Sequence, residues 1–361
     1  DWLEDYALFM ALKAHYNGAP WTSWPDALRR REGEALLEAK EALASEIGFR
    51  KILQYLFFKQ WAALKRYANK RQIEIIGDLP IYVAADSCDV WANPEQFRLD
   101  ENLDFSYVAG CPPDGFSETG QLWGNPLFNW EKMKEDQYSW WFKRIAYQFK
   151  IYDVLRIDHF RGFESYYAIP RGETTARNGT WMPGPGKDFF RALHRELGEC
   201  RFIAEDLGFL TPAVQELLQS TGFPGMKILQ FAFDSRDQNA DYRPHTYTRN
   251  CVVYTGTHDN DTIQGWIKTG PPEDVAKAKA YFRLNEEESY HWGMMRCAWG
   301  TVADLAIVQM QDLLGLGSEA RFNSPSTVGN NWVWRAEPGV FTRELAEKLR
   351  YNTALYDRLQ S

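Results

Sequence analysis

Six short apolar runs recur along the chain, most of them separated by helix-like stretches, and this alternation restricts the fold more than any other feature. The runs are IEIIGD (73–78), DVLRID (153–158), RFIAED (201–206), MKILQFAF (226–233), CVVYTGT (251–257) and LAIVQMQ (305–311). KDFFRALHREL precedes the third, TPAVQELLQSTG the fourth, and PPEDVAKAKAYF lies between the fifth and sixth. Thr211 followed by Pro212 is a helix start and Gly222 a helix stop. Strand and helix repeated in this way predict βαβ units and a parallel α/β sheet. The first 70 residues are expected to be helical, because Leu53, Leu56, Phe57, Trp61 and Leu64 recur at three- and four-residue spacing.

One connection does not fit the rhythm. From Asp78 to Asp153 the chain is too long for a single crossover, and it contains CPPDGFSETGQLWGNPLFNW (111–130). Long segments of this kind inside a compact domain are functional or disordered. Two tryptophans and two phenylalanines in that stretch argue for order. Residues 84–150 are therefore predicted to be an insertion within one domain spanning 1–361, with 111–130 covering a site.

The charge pattern removes several function classes. Acidic and basic residues are interspersed at a formal net charge of −8, and no basic stripe favours nucleic acid. No apolar run approaches membrane-spanning length, and the start carries no signal-peptide pattern. Cys88, Cys111, Cys200, Cys251 and Cys297 are odd in number, far apart and without metal spacing, which predicts a reducing, cytoplasmic setting and no metal. Aromatic residues reach 15% of the chain. Most are expected in the core, although flat ring faces would also suit a sugar-binding cleft.

The runs end in acid. Asp78, Asp158, Glu205 and Asp206 close the first three, while Asp234 and Asp259 follow the fourth and fifth. One such residue is uninformative, since Asp is a common helix N-cap after a strand. Repetition is different, because the carboxyl ends of parallel strands converge where barrel active sites form. Side-chain alternation puts Arg156 and Asp158 on the same face of their strand. The guanidinium is expected to keep that carboxylate ionised. An ionised carboxylate suits a nucleophile, a protonated one an acid, and two such groups flanking a bond are what glycoside cleavage requires. His159 and His258 adjoin these acids and are candidates for substrate hydroxyl contacts. THDND (257–261) has no metal-ligand spacing.

In this order, GDLPIYV (77–83), LRIDHFRG (155–162), AEDLG (204–208) and THDND (257–261) resemble the four signature regions of the α-amylase clan. PPDGFSETGQLWGNP (112–126), GMKILQFAF (225–233) and NSPSTVGNNWVWR (323–335) are similar to one branch of it, the 4-α-glucanotransferases or amylomaltases of glycoside hydrolase family 77. The resemblance implies a (β/α)8 TIM barrel acting on α-1,4-glucans and maltooligosaccharides by a retaining mechanism, without a cofactor. It implies Asp158 as nucleophile, Glu205 as general acid/base and Asp259 as third carboxylate. Arg156 and His258 would line the donor-sugar subsite, and Asp78 would support the site. Asp114, Phe116 and Trp123 would belong to the loop over the cleft, and Asn330 and Asn331 to a polar pair near it.

Two departures follow from the comparison with that pattern. Gly115 stands where many relatives carry a bulky aromatic residue. The two barrel strands that precede IEIIGD in the family have no counterpart, so the six runs would be strands three to eight of an N-terminally truncated barrel. The absent segment would then be a partner of this one. An α-glucan hydrolase and an inactive glucan-binding fragment are the competing functions.

Overall fold

All six predicted strands form, each shorter than its apolar run, in the computed structural model of the chain, which describes residues 2–113, 117–208, 210–235, 242–325 and 327–359. The described strands are β1 (Ile76–Leu79), β2 (Tyr107–Cys111), β3 (Gln121–Pro126), β4 (Val154–Ile157), β5 (Ser165–Pro170), β6 (Thr180–Pro183), β7 (Phe202–Ala204), β8 (Gly225–Ile228), β9 (Cys251–Tyr254) and β10 (Leu305–Ile307). The chain divides into two compact units, Asp1–Phe223 and Pro224–Ser361.

In the first unit β4 lies between β1 and β7, and both pairings are parallel. Its Val154, Leu155 and Ile157 are buried, as expected of a central strand covered on both faces. Trp141, Phe142 and Ile145 of helix Ser139–Ile151 belong to the same core as Phe189 and Phe190 of helix Gly186–Leu197. Trp21, Trp91, Trp141, Phe160 and Phe163 are among the largest fully buried side chains. Much of the aromatic content is thus core.

The abnormal connection contains more structure than its sequence announces. β2 pairs with β3 and β5, and β5 with β6, in an antiparallel sheet ordered β3-β2-β5-β6. Residues 111 and 121 are the last and first of a hairpin, so the 111–130 segment is partly strand. β5 and β6 follow β4, which carries this sheet past the predicted insertion boundary at residue 150. Antiparallel pairing of segments about 60 residues apart leaves little local trace in sequence.

Helix Ala44–Asn69 has the predicted period, yet none of its 26 residues is buried. One side packs: Phe58 meets Trp2 and Tyr147, and Trp61 Nε1 donates to the carbonyl of Ile151 at 2.9 Å. Phe49, Ile52, Leu53, Leu56, Phe57 and Leu64 are exposed. None of the helices among the described residues is long and apolar enough to cross a membrane.

In the second unit β9 lies between β8 and β10, again in parallel, and all four of its residues are buried. The 226–233 run leaves the strand after Ile228 for a 3-10 turn, Leu229–Phe231. Asp312 is fully buried; it accepts from Thr255 Oγ1 at 2.9 Å and from the Ile263 N–H at 2.7 Å. Burial pushes its carboxyl up to about 6.

Helix Pro212–Thr221, in the first unit, has the predicted caps. Thr211 Oγ1 accepts from the Val214 N–H at 3.3 Å, and Gly222 takes a left-handed φ of 71°.

β1 depends on a glycine. A Cβ on Gly77 would run into the ring of Tyr152, which is held where the chain enters β4. Gly77→Ala should lower stability by about 1–3 kcal/mol through overpacking. Urea unfolding measures it, and an unchanged midpoint would refute the contact.

Candidate active site

Three parallel strands end side by side in the first unit, and their register decides which side chains meet. Asp78 pairs with Arg156, and Ile157 with Ala204. One further step sets Asp158 beside Glu205. The backbone continues the ladder past the strands: Asp158 N–H donates to Leu79 at 3.0 Å, Glu205 N–H to Ile157 at 2.9 Å, and Phe160 N–H to Glu205 at 3.1 Å. The backbones that carry Asp158 and Glu205 are therefore fixed by the ladder itself.

Arg156 joins the ends. Its Nη1 donates to both oxygens of Asp78 at 2.7 Å and to Asp158 Oδ1 at 3.0 Å. The arginine side chain is 11% exposed, against 42% and 41% for the two carboxylates. Burial alone would lower its pKa. The charges of Asp78, Asp158 and Glu205 outweigh burial and raise it, so the cation persists at every working pH.

Glu205 is handled differently. Its Oε2 accepts from the His159 N–H at 2.7 Å and its Oε1 from the Leu207 N–H at 2.9 Å. Those bonds and Arg156 favour the charged form. Burial, with the neighbouring charge of Asp158, still pushes the carboxyl up to about 7.

His159 takes φ 52° and ψ 52°, a left-handed conformation uncommon for residues with a side chain. Its main-chain N–H is bonded to Glu205 from there. The ring meets Trp123 edge-on, with centroids 4.8 Å apart. Its Nε2 is enclosed with no hydrogen-bond partner among the described residues, and burial pushes the imidazole down to about 4. The enclosure leaves this nitrogen turned away from solvent, while the main-chain N–H is the group that reaches Glu205. Arg161 lies over Trp181, 3.9 Å from the ring centroid. Trp123 is half-buried near Tyr82, with its Nε1 donating to Gln121 Oε1 at 3.0 Å. Asp114, Gly115 and Phe116 lie outside the described residues.

In the second unit the turn after β9 carries His258 and Asp259. Asn260 Oδ1 closes this turn by accepting from the N–H and hydroxyl of Thr257 at 2.8 and 2.9 Å. His258 Nε2 stands 3.5 Å from Asp259 Oδ2. Asn323 Nδ2 donates to Asp259 Oδ1 at 2.6 Å, and Arg321 Nη2 donates to the Asp259 carbonyl at 2.5 Å. Asn330 is exposed. Asn331 uses its amide inside the loop, accepting from the Ser324 N–H at 3.1 Å and donating to Thr327 Oγ1 at 3.1 Å. Asp206 and Asp234, which sequence grouped with the other strand-end acids, are buried.

Sequence reasoning did not single out Asn323 or the amides of His159 and Leu207. Asn323 lay in a quoted motif, so its letter was available. Main-chain donors carry no letter at all. Among the described residues, no three His, Cys, Asp or Glu side chains form a group that could hold a metal ion.

A family profile described as 4-alpha-glucanotransferase matches residues 1–341. The 4-alpha-glucanotransferase of Clostridium butyricum is 52% identical over 361 residues, covering 99% of this chain and 74% of that protein. That of Streptococcus pneumoniae is 50% identical over 360 residues, covering 99% and 71%. The solved amylomaltase from Streptococcus agalactiae in complex with acarbose matches at a TM-score of 0.96 and 43% identity, covering 99% of this chain and 73% of that one. The α/β fold is therefore that of an amylomaltase.

Glu205 makes stability depend on pH. Its carboxyl is pushed up to about 7 in the folded chain from an ordinary value of 4.5, so the folded chain retains the proton across that interval. The stability it contributes is full below about pH 4.5 and is lost as pH rises through about 7, by up to about 3 kcal/mol. His159, depressed on folding, acts with the opposite sign in its own window, so wild type must be compared with Glu205→Gln. The difference in unfolding free energy should fall from about pH 4 to about pH 8. Urea titrations giving a flat difference would contradict the raised carboxyl.

Proposed function

The chain belongs to the 4-alpha-glucanotransferase family, and we propose that it transfers α-1,4-glucan segments between maltooligosaccharides by double displacement with retention. The observation that carries the reading is the unequal treatment of two neighbouring carboxyls. Asp158 faces a permanent guanidinium, whereas Glu205 is pushed up to about 7. Groups divided in this way suit the roles of nucleophile and acid.

Glu205 gives its proton to the glycosidic oxygen as Asp158 attacks the anomeric carbon. The leaving glucan departs with that proton, and the glucosyl unit stays esterified to Asp158. An acceptor hydroxyl then attacks the same carbon, with Glu205 taking its proton back and the ester bond breaking. Asp259 is assigned the third carboxylate, with His258 holding sugar hydroxyls beside it. Arg156 lines the donor subsite, and Trp123, Asp114 and Phe116 belong to the loop that shields the intermediate from water. Asn330 and Asn331 complete the polar contacts.

The six parallel strands are assigned to positions three to eight of an α-amylase-clan barrel, within a single catalytic domain. The open apolar side of helix Ala44–Asn69 supports a further assignment, that additional polypeptide of the same protein covers it. An apolar face of this length is a recognised interaction surface. If residues 1–361 stay monomeric and bind no hydrophobic dye, that covering is wrong.

Incubation with maltotriose tests the activity. Transfer yields glucose with a ladder of longer oligomers, whereas hydrolysis yields glucose and maltose alone. Asp158→Asn and Glu205→Gln should each lower the rate by at least about 10²-fold. A ladder that survives Asp158→Asn would remove the assigned nucleophile.

A further inference from the structure

The segment 321–342 contains no helix or strand among its described residues, yet it is firmly tied. Trp332 N–H donates to the carbonyl of Phe322 at 2.7 Å, and Asn323 N–H to that of His258 at 3.1 Å. Asn331 bonds both Ser324 and Thr327 through its side chain. Within this frame Asn330 has φ 56° and Trp332 φ 61°. A left-handed conformation suits asparagine, but for a bulky residue it is an outlier that persists only where the surroundings impose it.

The strain displays an indole. Trp332 is 61% exposed. Its ring stacks on Phe322 with centroids 5.8 Å apart and planes 29° apart, and it lies 5.1 Å from the ring of His258. Phe322 is backed edge-on by Trp334 at 5.5 Å. A lone exposed tryptophan needs no explanation. One fixed in a strained conformation, supported from behind and set against a histidine that adjoins a carboxylate, is built to meet something flat.

We propose that Trp332 is a stacking platform for a pyranose ring of the bound α-glucan, a specificity-determining residue beside His258 and Asp259. A pyranose has apolar C–H faces and a rim of hydroxyls. The indole meets a face, while the imidazole, the carboxylate and the exposed Asn330 offer hydrogen bonds to the rim. Sites for small ligands combine an apolar wall with a few convergent polar groups in this way. The inference rests on the glucanotransferase reading and adds to it the residue that recognises the ring.

Calorimetric titration of residues 1–361 with maltoheptaose tests it. Trp332→Ala should weaken binding about 10-fold, equivalent to about 1.4 kcal/mol, whereas Trp332→Tyr should stay within about threefold of wild type. Trp332→Leu retains apolar bulk without a flat ring and should behave like the alanine variant, which separates stacking from simple loss of packing. In maltotriose transfer the Ala and Leu variants should raise KM more than they lower kcat. Wild-type affinity in Trp332→Ala, or in Trp332→Leu, overturns the platform and leaves the activity standing. A wild-type chain that neither binds maltoheptaose nor builds a ladder from maltotriose overturns both.

Discussion

Arg156 holds the ends of β1 and β4 together, and the site in the first unit depends on it. Register alone would set Asp78, Asp158 and Glu205 on adjacent strand ends. Unit charges 4 Å apart interact by about 4 kcal/mol in the effective dielectric near a protein surface, so unrelieved acids there would work against the sheet. The guanidinium answers Asp78 and Asp158 directly and Glu205 through its field. Lysine could supply the charge but not the planar, multi-donor head that suits several carboxylates at once. The interaction that makes the sheet tolerable also leaves the Asp158 and Glu205 carboxyls in different environments.

That difference is completed by backbone. A carboxyl accepting two main-chain N–H bonds would ordinarily be a stronger acid. In Glu205, burial and the charge of Asp158 prevail over those bonds. The bonds fix where both oxygens point, while burial sets the protonation state. His159 supplies one N–H from a left-handed conformation worth on the order of 1–3 kcal/mol of strain, and its ring is wedged against Trp123. Position and acidity are therefore linked: the bonds that orient the carboxyl also oppose the rise that burial imposes, so losing either amide would move both.

How much of this was legible depends on whether a property belongs to a side chain or to a pairing. The parallel strands could be read because β9 is buried along its length and β4 at every residue but Arg156, and the buried residues are apolar. Asp158 and Glu205 could be read because acids recur at strand ends, and Thr211 and Gly222 because capping is local chemistry. The antiparallel sheet was not legible as strands. β2 is exposed at Tyr107 and β6 at Trp181, their partners are remote, and Gly and Pro interrupt the segment. The amide of His159 was beyond reach for a simpler reason: every residue but proline has one, and only the conformation makes this one matter.

Periodicity has the converse limit, shown by two aromatic surfaces. In helix Ala44–Asn69 the spacing of Leu53, Leu56 and Phe57 gives the helix correctly and says nothing of what covers it, because amphipathicity records a face and not its partner. The segment around Trp332 has no periodicity, and sequence offered only its asparagines as polar groups. There Asn331 fastens the loop from within and the tryptophan is what stands outward. A polar residue in an irregular segment is first a solution to the segment's own unpaired backbone. The side chain left over after that demand is met is the one free to face a ligand, and in this loop it is the apolar one.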